Sequence, residues 1–216
     1  MGAKIRAYRP GEEAVLYDIC LRTGDSGADA TGMYQDPDLL GAVYVGPYLR
    51  LAPEHALVGV DADGVAGYVL GVPDTTAFDA ACEREWWPAL RARHPVDSYP
   101  EDTPDGRMVR LIHAPPATSP DVLERYPAHL HIDLLPRLQG HGDGRRLLTA
   151  LLDGLAAAGA PGVHLGVGIK NERAIGFYRR MGFTQVRAYS HSLIMAQALS
   201  TGSRSWESNR LGSETE

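Results

Sequence analysis

The chain has 216 residues and a formal charge of −6, from 27 acidic and 21 basic side chains. At 44% hydrophobic and 22% charged it can bury a core, which excludes a wholly disordered chain. No apolar run approaches the ~20 residues of a membrane helix, so no membrane association is expected. The charge is unevenly placed: residues 1–128 hold 20 acidic and 11 basic groups, residues 129–199 hold 4 and 8. The two parts are therefore expected to meet partners of opposite sign.

Met1-Gly2-Ala3-Lys4 leads into Ile5-Arg6-Ala7-Tyr8-Arg9 without an apolar h-region, so no signal peptide is expected. Arg6 stands where an N-myristoylation signal would need Ser or Thr. Ile5–Arg9 reads as a strand. Pro10-Gly11 turns the chain, and Glu12-Glu13 opens a helix with Val15, Leu16, Ile19 and Cys20 on one stripe. Residues 25–54 read as loop and short helix. His55–Asp61 and Val65–Val72 are strands joined at Asp63-Gly64, a hairpin signal. Residues 76–93 read as a helix that Pro88 kinks or restarts. Trp86 and Trp87 are expected in the core or at an interface.

Seven of the fifteen prolines fall between 95 and 127, which reads as an ordered excursion with a short strand at Met108–Ile112. Then come a strand at His129–Leu135, a helix at Gly142–Ala158, a strand at Val163–Gly168 and a helix at Asn171–Met181. Strands at Phe183–Tyr189 and Ser192–Leu199 follow. This order implies a mixed sheet flanked by helices. Residues 1–199 are read as one domain and 200–216 as a polar, disordered tail. The two cysteines, Cys20 and Cys82, make neither a framework nor a CxxC pair, so reduced thiols and a cytoplasmic location are expected.

The chemistry concentrates in Leu134-Leu135-Pro136-Arg137-Leu138-Gln139-Gly140-His141-Gly142-Asp143-Gly144-Arg145-Arg146. A strand stops at a proline, and a glycine-rich turn enters an amphipathic helix. Glycines let the backbone approach a phosphate, and a helix start offers free N–H groups. No Gly-Lys-Ser/Thr follows, which excludes a Walker loop. The third glycine and downstream acid of a dinucleotide fingerprint are missing.

Gln139-x-x-Gly142-x-Gly144 after Leu-Leu-Pro resembles the acetyl-CoA signature of the GNAT N-acetyltransferases. Asn171-x-x-Ala174-x-x-Phe177-Tyr178-x-x-Met181-Gly182-Phe183 resembles that family's second cofactor motif. The segment Asp18–Tyr48, with Thr23-Gly24-Asp25 and Tyr44-Val45-Gly46-Pro47-Tyr48, further resembles bacterial relatives of the acetyltransferase-like C-terminal domain of O-GlcNAcase. The resemblance implies an α/β fold: a mixed, mostly antiparallel twisted sheet flanked by helices, with a helical, Pro-rich insertion before the central cofactor strand. It implies acetyl-CoA as co-substrate and an amine as acceptor, with direct transfer in a ternary complex. By motif position, Asp133–Leu135 would carry a bulge, and the backbone of Leu134 and Leu135 would hold pantetheine. The N–H groups from Gln139 through Gly140, His141, Gly142, Asp143 and Gly144 to Arg145 would hold the pyrophosphate. Arg137, Arg145 and Arg146 would meet the outer phosphates. Asn171 would contact the pantetheine arm or the adenosine side, and Tyr178 would stand near the thioester sulfur.

An amine must shed a proton to attack a thioester, so a base is needed. The position where many family members carry a glutamate falls at or near Gly166, so that transfer fails. His131 and Asp133 alternate onto one face of their strand and are the replacement candidates, against a purely structural hydrogen-bonded pair. His113, Asp25 and Asp29 are further candidates. His129 and His131 lack the companions of a zinc site, so no metal is expected. The small basic part is accounted for by a phosphate-rich cofactor, so nucleic acid is not an expected partner. The acidic part favours a cationic acceptor. A homodimer is expected from base rates alone. The alternative is an acetyl-CoA-binding module with little transferase activity.

Overall fold

The computed structural model describes residues 2–200. The expected disordered tail thus falls, apart from Ser200, outside the described residues. Seven strands form one sheet: β1 (Lys4–Ala7), β2 (Ala56–Asp61), β3 (Gly64–Val72), β4 (Ala128–Leu134), β5 (Gly162–Gly168), β6 (Thr184–Ala188) and β7 (Ser192–Ala198). Their spatial order is β1-β2-β3-β4-β5-β7-β6. Every neighbouring pair is antiparallel except β4 and β5. The mixed, mostly antiparallel sheet expected from the sequence is therefore present.

Nine helices accompany it among the described residues. They are α1 (Glu13–Leu21), α2 (Leu39–Tyr44), α3 (Gly46–Leu51), α4 (Thr75–Glu85), α5 (Trp87–Arg93), α6 (Pro104–His113), α7 (Pro120–Arg125), α8 (Asp143–Ala157) and α9 (Glu172–Arg180). The stripe Leu147, Leu148, Leu151 and Leu155 of α8 packs on Val69, Ala128, Leu130 and Val163. On the opposite face Leu16 and Ile19 of α1 and Tyr48 of α3 pack on Val58, Tyr68 and Leu70. Burial of both apolar faces holds the three layers together. None of these helices is long and apolar enough to cross a membrane.

Two expectations are corrected. Met108–Ile112 is helical rather than extended. Thr103 caps α6 by accepting from Gly106 N–H, and Val109 and Ile112 recur at helical spacing, both fully buried. The bulge expected at Asp133–Leu135 is also absent. β4 pairs with β3 in unbroken register from His129↔Val72 to Leu134↔Gly67. What departs from regularity is the other edge of β4. It pairs with β5 only at Ala128↔Val163 and His129↔His164, and the two strands then part.

The helix expected over 76–93 is two helices that meet at Trp86, with Pro88 in the first turn of the second, where its missing N–H costs nothing. Trp87 is buried, and Trp86 donates its indole N–H to the Ala42 carbonyl at 2.9 Å.

Candidate active site

The parting of β4 and β5 makes a wedge in the middle of the sheet. Backbone N–H and C=O groups along its edges have lost their ladder partners and need others. Period-two alternation puts His129, His131 and Asp133 on the α1–α3 face of β4, opposite Val72, Leu70 and Tyr68 of β3. Across the wedge, Gly166 and Gly168 of β5 are exposed. A Cβ at Gly166 would meet only Ile194, and one at Gly168 only the His191 carbonyl, each at 4.0 Å. Room is thus kept open where the sequence lacks the strand acid.

The turn after β4 is shaped by its glycines. Gly140 and Gly142 have φ of +85° and +86°, and a Cβ on either would touch no protein atom within 4 Å. Gly142 is the N-cap of α8 and brings no capping side chain. The N–H groups from Gly140 to Arg145 find no acceptor among the described residues. Gly144 serves another purpose: its Cβ would lie 2.8 Å from Leu134, so glycine lets α8 approach β4 closely. The result is a backbone cradle at the end of the wedge, fit for an anion.

Several groups expected to touch the cofactor also hold the protein together. The Gln139 N–H expected in the cradle is bound to the Pro136 carbonyl at 3.0 Å and its side chain donates to the Leu134 carbonyl at 2.6 Å, while Leu135 N–H is bound to the Ala66 carbonyl at 2.8 Å. Arg137 pairs with Asp61 at 2.7 Å, tying the turn to the β2–β3 hairpin. Asp143 is buried and accepts from Ala3 N–H at 3.0 Å, while Arg146 bridges Asp143 and the Ala3 carbonyl. Arg145 is exposed and has no ion pair among the described residues. It is thus the arginine of the three best able to meet a phosphate.

Asn171 caps α9, accepting from Ala174 N–H at 3.1 Å. Tyr178 is buried between Phe177 and Phe183, yet its hydroxyl has no hydrogen-bond partner among the described residues. Burial first, and the Asp133 charge second, push its pKa well up, so it stays an O–H donor at neutral pH. Asp133 accepts from the buried Tyr68 hydroxyl at 2.6 Å. Burial raises its carboxyl above the usual range, against the hydrogen bond from Tyr68.

The three neighbouring imidazoles are unequal. The Thr75 hydroxyl donates to the Pro127 carbonyl at 2.6 Å, so its oxygen must accept from His129 Nδ1, 2.7 Å away. His129 Nε2 then accepts from the Tyr48 hydroxyl at 2.6 Å. His164 Nδ1 lies 2.7 Å from the Tyr126 carbonyl. Both rings are committed. His131 alone of the three has no hydrogen-bond partner among the described residues, and it lines a cavity of about 330 Å³. Burial, with His164 beside it, lowers its pKa to about 4, so it is a neutral imidazole at pH 7.

The remaining candidates fall elsewhere. His113 lies 2.8 Å from the His94 carbonyl. Asp29 accepts from the Thr31 amide at 2.8 Å. Asp25 and Ala28 close a two-residue turn whose Gly27 sits beside Asn171, an added Cβ lying 3.8 Å from its amide nitrogen. The acidic loop therefore borders the start of α9. Sequence reading missed Asp105, which is buried and accepts from the Gln35 and Asp36 amides, holding the 35–36 loop to α6. No group of His, Cys, Asp and Glu among the described residues could hold a metal ion.

Comparison with known proteins agrees with this geometry. Residues 31–183 match the model of the Acetyltransferase (GNAT) family. The crystal structure of SsHAT superposes with a TM-score of 0.86 at 38% identity, covering 93% of this chain and all of that one. Protein O-GlcNAcase of Rattus norvegicus is 28% identical over 184 residues, which is 84% of this chain and 20% of that protein. The chain thus spans about one fifth of the length of that curated relative. Chaetomium thermophilum Naa20, solved with a bisubstrate analogue, shares the fold at 20% identity with a TM-score of 0.51, over 92% of this chain and 87% of that one.

Proposed function

This chain belongs to the GNAT acetyltransferase family, and from that premise we propose that it transfers the acetyl group of acetyl-CoA to an amine directly, in a ternary complex. The observation that carries the reading is the wedge between β4 and β5, with a cradle of N–H groups at its end that have no protein acceptor among the described residues. The residues present fit the co-substrate. The Gly140–Arg145 amides would hold the pyrophosphate, and Arg145 an outer phosphate. The free backbone edge of β4 would hold the pantetheine arm, and Asn171 would flank it.

The thioester supplies an activated acetyl carbon: a new N–C bond forms and the C–S bond breaks. His131 or Asp133 takes the proton that the attacking nitrogen loses. Tyr178 donates its O–H hydrogen to the departing sulfur. Free backbone N–H groups along the wedge stabilise the oxyanion. Neither cysteine is a nucleophile on this reading, because burial pushes both thiols up to about 12. Residues 1–199 act as one domain on this reading.

A second reading, an acetyl-CoA binder without useful turnover, is favoured by Gly166 standing where an acid is expected. Calorimetry with acetyl-CoA and thiol release against a panel of amines separate the two. Binding with acceptor-dependent thiol release supports the transferase. Binding without release on any amine leaves the binder, and no binding refutes both.

A further inference from the structure

We propose that the cavity beneath the histidine face of β4 is the acceptor pocket, and that it takes a compact primary diamine whose outer, charged nitrogen sits at Asp79. This names the substrate of the transferase site and rests on that reading. At about 330 Å³ the cavity lies at the small end of the ~300–1,000 Å³ common for small-molecule sites. It is lined by His131 of β4, by Tyr44, Tyr48 and Phe78, and by Asp79 and Glu83 of α4. His131 and Asp133 are alternate residues of one strand face, so the pocket abuts the wedge.

The groups that line it differ in what they accept. The rings around His131 are neutral imidazole and tyrosine. Tyr44 and Tyr48 stand 5.6 and 5.4 Å from the His131 ring, centroid to centroid. Such surroundings favour an uncharged nitrogen over an ammonium. Asp79 and Glu83 lie four residues apart on one helix face. Arg91 occupies Glu83 through two bonds of 2.8 and 2.9 Å. Asp79 is exposed and has neither a hydrogen bond nor an ion pair among the described residues. It is the carboxylate left to receive a cation.

A monoamine offers only one nitrogen to Asp79 and His131. A diamine serves both groups: the outer ammonium stays at Asp79, and the inner nitrogen passes its proton to a free ring nitrogen of His131 as its bond to the acetyl carbon forms and the C–S bond breaks. The aromatic walls suit the methylene chain and the adjoining charge.

The test is direct binding to the full chain without acetyl-CoA, by calorimetry and amide NMR. The probes are putrescine, length-matched butylamine and a lysine peptide. Putrescine is expected to perturb cavity amides and to bind about tenfold tighter than butylamine, an advantage that Asp79→Asn removes. Ala117→Phe, which narrows the cavity from its exposed lining, is expected to weaken putrescine as well. Equal binding of the two amines, indifference to Asp79→Asn, or tighter binding of the peptide would overturn the proposal. A chain that binds diamine but never releases thiol sinks the transferase reading alone. One that acetylates other amines while ignoring diamines sinks only this inference.

Discussion

The two sides of β4 are built by different means. On the α8 side the candidate site is made of backbone: left-handed glycines, an uncapped helix start and strand edges that have lost their partners. On the α1–α3 side a cavity is lined by side chains drawn from far apart in the chain, with Tyr48, Phe78, Asp79 and His131 among them. A backbone cradle leaves a local mark in sequence, because only glycine tolerates its angles and its close approach. A pocket of converging side chains leaves none.

The sharpest way to break this contrast is at the cradle. Gly142→Leu puts a side chain into the space kept for the ligand, and acetyl-CoA affinity should fall about a hundredfold or more. Gly159→Leu is the control, since Gly159 has φ of +90° and equally open surroundings at the far end of α8. It carries the same backbone strain, and calorimetry should find its affinity unchanged. Tyr178→Phe should lower kcat roughly a hundredfold with acetyl-CoA binding intact. Equal turnover would remove the hydroxyl from the mechanism.

Asp105→Ala tests the side-chain half. It leaves the Gln35 and Asp36 amides without their acceptor, and should cost about 2 kcal/mol in urea unfolding. The cradle should bind acetyl-CoA as before.

The histidine face predicts an acid-sensitive fold. Burial holds His129, His131 and His164 below the ordinary imidazole value, His131 at about 4. The unfolded chain takes up protons first, so this contribution is complete above pH ~6.5 and is lost as pH falls toward 4. Each group removes about 1.4 kcal/mol per pH unit across its window. Thermal melts from pH 7 to 5 read this, and His131→Phe should flatten the slope. The smallest effect is expected at Ser26, held at φ +53° in the turn beside Asn171. Ser26→Asn suits that conformation and should stabilise by about 0.5 kcal/mol, read from the melting midpoint.

Much of this was legible beforehand, for physical reasons. The strands and the long helices show in periodicity and turn residues, and both cofactor motifs sit on the elements expected of them. Met108–Ile112 misled because its β-branched residues suit a strand, whereas the Thr103 cap and tertiary burial hold it helical. Arg137 and Arg146 look unpaired beside the loop in sequence, and only the fold brings Asp61 to the first and ties the second to Asp143 and the Ala3 carbonyl.

Sequence by itself determined the order of strands and helices, the glycine cradle and the placing of His131 and Asp133 on one strand face, since each depends on residues close together in the chain. Only the tertiary structure decided where β4 and β5 part, which of the three neighbouring histidines has a ring without a partner among the described residues, and which of the two cavity carboxylates has none there. Those outcomes depend on contacts between distant segments. Tyr178 and Asp133 show the reason most plainly. They come from elements on different layers, and Asp133's charge reaches the tyrosine hydroxyl in a sheet whose two central strands have come apart.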